Sequence, residues 1–213
     1  MEKVWLITGC STGFGRELAK QVLELGYKAG VAARNIADVE DIVKQYPETS
    51  IAITLDVTKH DHITDAVKQL TEIFGRVDVL VNNAGIGYFG SVEASDEHEI
   101  RRMFDINFFG LASMTKAVLP HMRKQRSGHI INISSIGGLM AFPAIAYYNA
   151  TKFAVDGFSE SLAKEPAPLG IKVTIVAPSG FRTDWAGRSA NEVQNEIDYY
   201  KTTAAAHQHN NNP

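Results

Sequence analysis

Short apolar runs alternate with stretches of helical periodicity along most of this chain, and that alternation restricts the fold more than any other feature. Residues 4–8 (VWLIT) read as a strand. A glycine-rich turn follows, then a helix over 16–25 with Leu18, Ala19, Val22 and Leu23 at helical spacing. Strand-like runs recur at 28–33, 50–55, 77–81, 129–133 and 171–176. Between them lie helix-like stretches at 36–45, 60–74 (closed by Gly75), 96–121 and from about Ala146 onward. Ser95 is the expected cap of the 96–121 helix, which should bend near 107–110, and Pro166 should end the last helix. Strands separated by helices must be joined by crossovers, so the expected fold is α/β: a mostly parallel twisted sheet with helices on both faces.

A chain of 213 residues suits one such domain, assigned to 1–189. From about Ala190 the composition turns polar and ends HQHNNNP, which reads as a frayed tail over 190–213; His207 and His209 there have no further ligand at fixed spacing, so no metal site is expected. The formal charge of −3 and the absence of a long basic run argue against a nucleic-acid partner. The single cysteine, Cys10, excludes an intrachain disulfide. No signal-peptide pattern or membrane-spanning run appears, so a cytoplasmic protein is the expectation.

The turn after the first strand reads Thr8-Gly9-Cys10-Ser11-Thr12-Gly13-Phe14-Gly15 and opens the first helix. Glycines there permit close approach, and free N–H groups at a helix start face an anion, so Gly9, Ser11, Thr12, Gly13, Phe14 and Gly15 form a candidate phosphate-binding loop. The spacing is G-x-x-x-G-x-G, neither the commoner dinucleotide pattern nor a P-loop, and a tight strand-to-helix turn is the competing reading. The second strand ends Ala32-Ala33-Arg34-Asn35, with no acid at its tip. Arg34 would attract a 2′-phosphate that an acid would repel, which favours NADP(H) and leaves NAD(H) admissible; an arginine at a solvated strand end is the alternative. Asp56, ending the third strand, could meet the adenine edge or serve as a loop acid.

The segment Ala146-Tyr-Tyr-Asn-Ala-Thr-Lys152 offers two phenols to one ammonium. Residues four apart share a helix face, which pairs Tyr148 with Lys152 and Tyr147 with Thr151. An ammonium lowers the pKa of a nearby phenol, so Tyr148 is the candidate acid/base; Thr151 cannot supply such a field.

Taken in order, the glycine loop, Asn82-Asn83-Ala84-Gly85, Ser134-Ser135 and Tyr148-x-x-x-Lys152 resemble the classical short-chain dehydrogenase/reductase family, over about Lys3 to Arg188. The resemblance implies a Rossmann-type domain and places the catalytic group on Asn107, Ser135, Tyr148 and Lys152. Ser135 is chosen over Ser134 because the family serine lies thirteen residues before the tyrosine. Ser135 and Tyr148 would bind the substrate carbonyl oxygen. Lys152 would lower the tyrosine pKa and hold the nicotinamide ribose, and Asn107 would hold a relay water. The resemblance also gives Asn83, Ala84 and Gly85 to the adenosine side of the cofactor, Val57 to adenine, and Pro178, Phe181 and Thr183 to the nicotinamide side. Ser179 stands where the family has glycine. Taken singly, Ser135 could cap a loop, Asn107 satisfy a distorted helix, and Asn82 and Asn83 hold a turn.

The expected activity is interconversion of a carbonyl and an alcohol, on an apolar or amphipathic small molecule, since Ile86, Phe89, Leu139, Met140, Phe142 and Trp185 fall in loops around the pocket. Family members usually continue further, through a substrate-covering helix and a seventh strand. The rival expectation is therefore an impaired or nonenzymatic nucleotide-binding scaffold derived from a truncated reductase. A homodimer through the two long helices is the further partner the resemblance implies.

Overall fold

A computed structural model of the chain describes residues 2–179, 190–195, 197–200 and 202. The strands are β1 (Val4–Ile7), β2 (Lys28–Ala33), β3 (Ser50–Thr54), β4 (Val79–Asn82), β5 (Gly87–Phe89), β6 (Gly128–Ile133), β7 (Ile171–Val176) and β8 (Ala190–Glu192). The helices are α1 (Gly13–Glu24), α2 (Glu40–Gln45), α3 (His60–Phe74), α4 (Glu97–Phe104), α5 (Leu111–Gln125) and α6 (Ala146–Lys164). Six strands form one parallel sheet in the order β3-β2-β1-β4-β6-β7.

The sheet is parallel because each connection must cross over, and the helices that make those crossovers cover both faces. On one face Leu6, Ile53, Leu80 and Ile130 meet Ile63, Val67 and Leu70 of α3, Met114, Val118 and Met122 of α5, and Leu162 of α6. On the other, Ile7, Val31, Val79 and Val81 meet Ala19, Val22 and Leu23 of α1 and Ile42 of α2. All four residues of β4 are buried, as a central strand covered on both sides requires, whereas Lys172, Thr174 and Val176 of the terminal strand β7 are exposed. No helix among the described residues is long and apolar enough to cross a membrane.

Three expectations change. The stretch 36–45 is two pieces, a 3₁₀ turn at Ile36–Asp38 and α2, because the Asn35 side chain accepts from Ala37 N at 3.2 Å and closes a local turn first. Asp96, not Ser95, caps α4, accepting from Glu99 N at 3.1 Å, while the Ser95 hydroxyl donates to Ser91 O at 2.6 Å. The segment from Ala190 is not simply frayed: β8 pairs in parallel with β5, Asn191 Nδ2 donates to Glu99 Oε2 at 3.0 Å, and Tyr200 Oη donates to Glu93 Oε2 at 3.1 Å. His207 and His209 lie outside the described residues. The expected bend is present as a π-helical segment, Asp105–Gly110, between α4 and α5.

Leu80 is fully buried in the centre of the sheet. Leu80→Ala should destabilise the fold by about 2–5 kcal/mol, read as a lower denaturation midpoint in urea with little change in slope.

Candidate active site

The strand order reverses between β1 and β4, which send their connections to opposite sides and leave a crevice at their carboxyl ends. Thr8, one residue past β1, holds the two loops there together. Its hydroxyl donates to Val81 O at 3.3 Å and accepts from Asn83 N and Ala84 N at 3.0 Å each. Asn83 returns the bond through its side chain, donating to Thr8 O at 2.9 Å and Gly9 O at 3.0 Å. The Asn83 amide is therefore a stitch between loops, the role weighed against cofactor contact, although the residue also borders the groove.

The glycine loop fits a dinucleotide's phosphates. Thr12, at the N-cap of α1, makes no side-chain capping bond, and no acidic residue lies in the first turn, so the helix's free N–H groups and positive end are left for an anion. Gly13 has φ of 59°, and a side chain there would point into open space. Gly15 does the opposite work: a Cβ would lie 2.4 Å from Gly9 O, so only glycine lets α1 start this close to the loop.

A groove of about 910 Å³ runs from this loop along the carboxyl ends of the strands. It is lined by Gly9, Ser11, Thr12, Gly13 and Phe14, by Arg34, Asp56 and Val57, by Asn83, Ala84 and Gly85, and by Ser135, Tyr148, Lys152 and Pro178. Arg34 is exposed, and Asp56 is held below its ordinary carboxyl value: burial pulls upward, and hydrogen bonds from the Thr58 hydroxyl and N–H outweigh it. Gly15 and Asn107 stand behind the lining. Ile86, Phe89, Phe142 and Ile145 supply an apolar wall beside Tyr148. Leu139 and Met140 do not join it: they are exposed and outside the groove, because the 3₁₀ turn Ile136–Gly138 carries them outward. Phe181, Thr183 and Trp185 lie outside the described residues. Among the described residues, positive φ at a non-glycine position occurs at Arg126 and Ala144, so Ser179 needs no glycine-like conformation.

The loop after β6 that carries Ser135 is tied down from β7 and the residues after it, through Ser134 N to Val176 O at 2.8 Å and Ile136 N to Pro178 O at 2.9 Å. Ser135 Oγ accepts from Gly137 N at 3.1 Å and hydrogen-bonds the Tyr148 phenol. Lys152 is buried, donates from Nζ to Ile133 O at 2.9 Å, and lies 5.7 Å from the centre of the Tyr148 ring. Burial pushes its ammonium down from 10.5 to about 8, and Asp156, one turn further along α6, pulls it back up. The expectation that Lys152 brings Tyr148 below 10 is not met. Burial raises the phenol above its ordinary value, and it is Ser135 that pulls the other way. The phenol thus stays protonated at neutral pH, the form a proton donor needs. Asn107 is buried, its Oδ1 accepting from Ile86 N and its Nδ2 donating to Ile86 O, both at 2.8 Å.

Residues 3–194 match the short chain dehydrogenase family. A short-chain dehydrogenase from Streptomyces avermitilis superposes with a TM-score of 0.92 at 41% identity, covering 100% of this chain and 78% of that one. ElxO with NADP bound gives a TM-score of 0.82 at 36% identity, over 86% of this chain and 76% of its own. The 3-ketodihydrosphingosine reductase of Bacteroides thetaiotaomicron is 41% identical over 199 residues, 93% of this chain and 71% of that protein. The chain belongs to the short-chain dehydrogenase family, the NAD(P)-dependent oxidoreductases that interconvert carbonyl and alcohol groups.

Sequence reasoning overlooked Thr8, which looked like the last strand residue, and Asp156, although an acid one turn beyond a buried lysine was readable. The lysine sets a pH dependence. Its ammonium is present below about pH 8 and lost above it, so kcat/KM for carbonyl reduction should fall as pH rises through that value. Asp156→Asn removes a charge that favours the ammonium, so the falling limb should move to lower pH in a kcat/KM profile.

Proposed function

We propose that this chain is an NADP(H)-preferring reductase of apolar or amphipathic ketones, acting through Ser135, Tyr148, Lys152 and Asn107. The observation that carries the reading is the meeting of Ser135, Tyr148 and Lys152 on one side of a groove whose other parts are a phosphate-type loop and the apolar wall of Ile86, Phe89, Phe142 and Ile145. Bound nicotinamide dinucleotide supplies or takes the hydride. Ser135 and Tyr148 hydrogen-bond the substrate oxygen, where negative charge builds. Tyr148 gives its phenolic proton in reduction and recovers it in oxidation. Lys152 holds positive charge beneath the ring. A side chain at Gly85 would fill a point 3.4 Å from Asn107 Oδ1 and 3.9 Å from Lys152 Nζ; with glycine there, that space suits a relay water, and Oδ1 keeps a second lone pair to hold it.

Arg34 supports the cofactor preference. It lines the groove at the end of β2, where its charge also acts on Asp56 without a hydrogen bond or close ion pair among the described residues, and ElxO, a relative, binds NADP. Asp56, Val57, Ala84 and Gly85, which line the groove, are the proposed adenosine side, and Pro178 the proposed nicotinamide side. The likeness to a 3-ketodihydrosphingosine reductase supports a ketone carrying a long apolar part. Phe109 and Phe153, exposed on the two long helical stretches, form the surface of a proposed homodimer.

Purified protein should bind NADPH and reduce members of a ketone panel that includes long-chain substrates. Tyr148→Phe should keep NADPH affinity within about twofold and lose about 10²–10⁴ in kcat; NADPH binding without turnover on any ketone would favour the nonenzymatic reading. Arg34→Ala should weaken NADPH about tenfold or more and leave NADH unchanged, by the loss of one charge-assisted phosphate contact. Equal effects on both cofactors would remove the arginine argument.

A further inference from the structure

We propose that Thr151 is a positioning residue for the reaction: its hydroxyl joins the Asn107 amide to the backbone of Tyr148 and so fixes the relay asparagine relative to the acid. The proposal rests on the catalytic reading of Tyr148 and Asn107 given above.

Thr151 is fully buried on α6, on the turn between Tyr148 and Lys152. Its Oγ1 accepts from Asn107 Nδ2 at 3.1 Å and donates to Tyr148 O at 2.8 Å. A hydroxyl has one proton, and because that proton goes to Tyr148 O, the oxygen can only accept from Asn107. Ile86 O takes the other hydrogen of Nδ2, and Ile86 N supplies Oδ1. The amide orientation is thereby unique. Turned over, its oxygen would face the Ile86 carbonyl and a hydroxyl whose proton is already placed, and its nitrogen would face an N–H donor. The fixed N–H and C=O of Ile86 set which end of the Asn107 amide points toward the space beside Gly85, where Lys152 Nζ also lies, and Thr151 adds the bond that ties the oriented amide to α6.

The same chain of bonds joins three elements that otherwise meet through packing such as Phe108 on Phe158 and through the Gly90 N–H donating to Ala144 O at 2.8 Å. Ile86 precedes β5 and borders the groove, Asn107 belongs to the π-helical segment, and Thr151 and Tyr148 belong to α6. Hydrophobic packing alone would let these elements slide by tenths of an ångström, because it has no direction. A threonine in mid-helix bonding back to the carbonyl three residues earlier is weakly unfavourable for the helix itself. That cost is offset here by the bond the oxygen receives from Asn107.

The experiment compares Thr151→Val, which keeps the shape and removes both bonds, with Thr151→Ser, which keeps the hydroxyl. Thr151→Val should lower kcat about tenfold, the scale of one lost buried hydrogen bond, with NADPH Kd within twofold. Thr151→Ser should restore kcat to within about threefold of the parent. In an Asn107→Ala background, Thr151→Val should add less than twofold, because its effect passes through that amide. Should Thr151→Val not fold, Thr151→Ala carries the same expectations. Parent-like kcat in the hydroxyl-free variants, equal losses in Thr151→Ser, or full additivity with Asn107→Ala would each overturn the proposal. Tyr148→Phe, run alongside, separates the two failures: if it retains turnover, the catalytic reading itself falls, and the positioning role with it.

Discussion

A buried ammonium is the constraint around which this end of the molecule is organised. Taking Lys152 out of water costs several kcal/mol unless its charge finds partners, and the surrounding elements can be read as supplying them. The Ile133 carbonyl at the end of β6 accepts a hydrogen bond from it, and the Tyr148 ring presents its π face 5.7 Å away. Asp156 contributes the opposing charge from the next turn of α6. Burial raises Asp156 above its ordinary carboxyl value, against the pull of Ser134 and Lys152. A Cβ at Gly138 would meet Asp156 Oδ2 at 2.5 Å and Ser134 Oγ at 2.7 Å, so the loop carrying Ser135 can cover this pair only with glycine at that position.

The same logic extends across the sheet as a polar layer at its carboxyl end. Asn82 on β4 and Asn132 on β6 are paired in register, and Asn82 Nδ2 donates to Asn132 Oδ1 at 2.9 Å and to Thr115 Oγ1 at 3.2 Å. Asn132 Nδ2 continues to Ser159 Oγ at 2.8 Å, which donates to Val155 O at 2.7 Å. The chain of bonds thus runs from α5 through two strands to α6. Apolar side chains in the same places would pack as well, yet they would not fix register, because dispersion has no direction. The layers below are apolar and the layer at the crevice is not, which is where α6 has to be held to set Tyr148 and Lys152 against β6.

How much of this could be read from residues depends on whether a feature is local. The large parallel sheet was legible because its strands are short, mostly apolar runs separated by helical stretches, and Tyr148 was separable from Tyr147 because helical spacing is a local rule. Strands β5 and β8 were not, since Gly-Tyr-Phe and Ala-Asn-Glu carry no alternation and acquire strand geometry only by pairing with each other. The shift of Tyr148 was misjudged for a related reason: spacing reveals the lysine four residues away but not how much water burial removes from the phenol. Thr151 was set aside as uncharged, a judgement about fields that left out hydrogen bonds to a residue 44 positions earlier.

The π-helical segment shows how one local irregularity serves both ends of the groove. A regular helix over 97–125 would place its residues by a fixed rotation; the wider turn at Asp105–Gly110 shifts that rotation once, between α4 and α5. At one end of the segment Gly110 lies so close to Val57 that a Cβ would stand 3.0 Å from the Val57 carbonyl oxygen and 2.7 Å from its side chain, so the helix backbone presses directly on the wall beside Asp56. Within the same turn the Asn107 side chain reaches the loop after β4 and α6 together. A straight helix could satisfy one of these contacts by adjusting its tilt. Satisfying both needs an independent change of phase between residues 107 and 110, which a single widened turn supplies without breaking the helix.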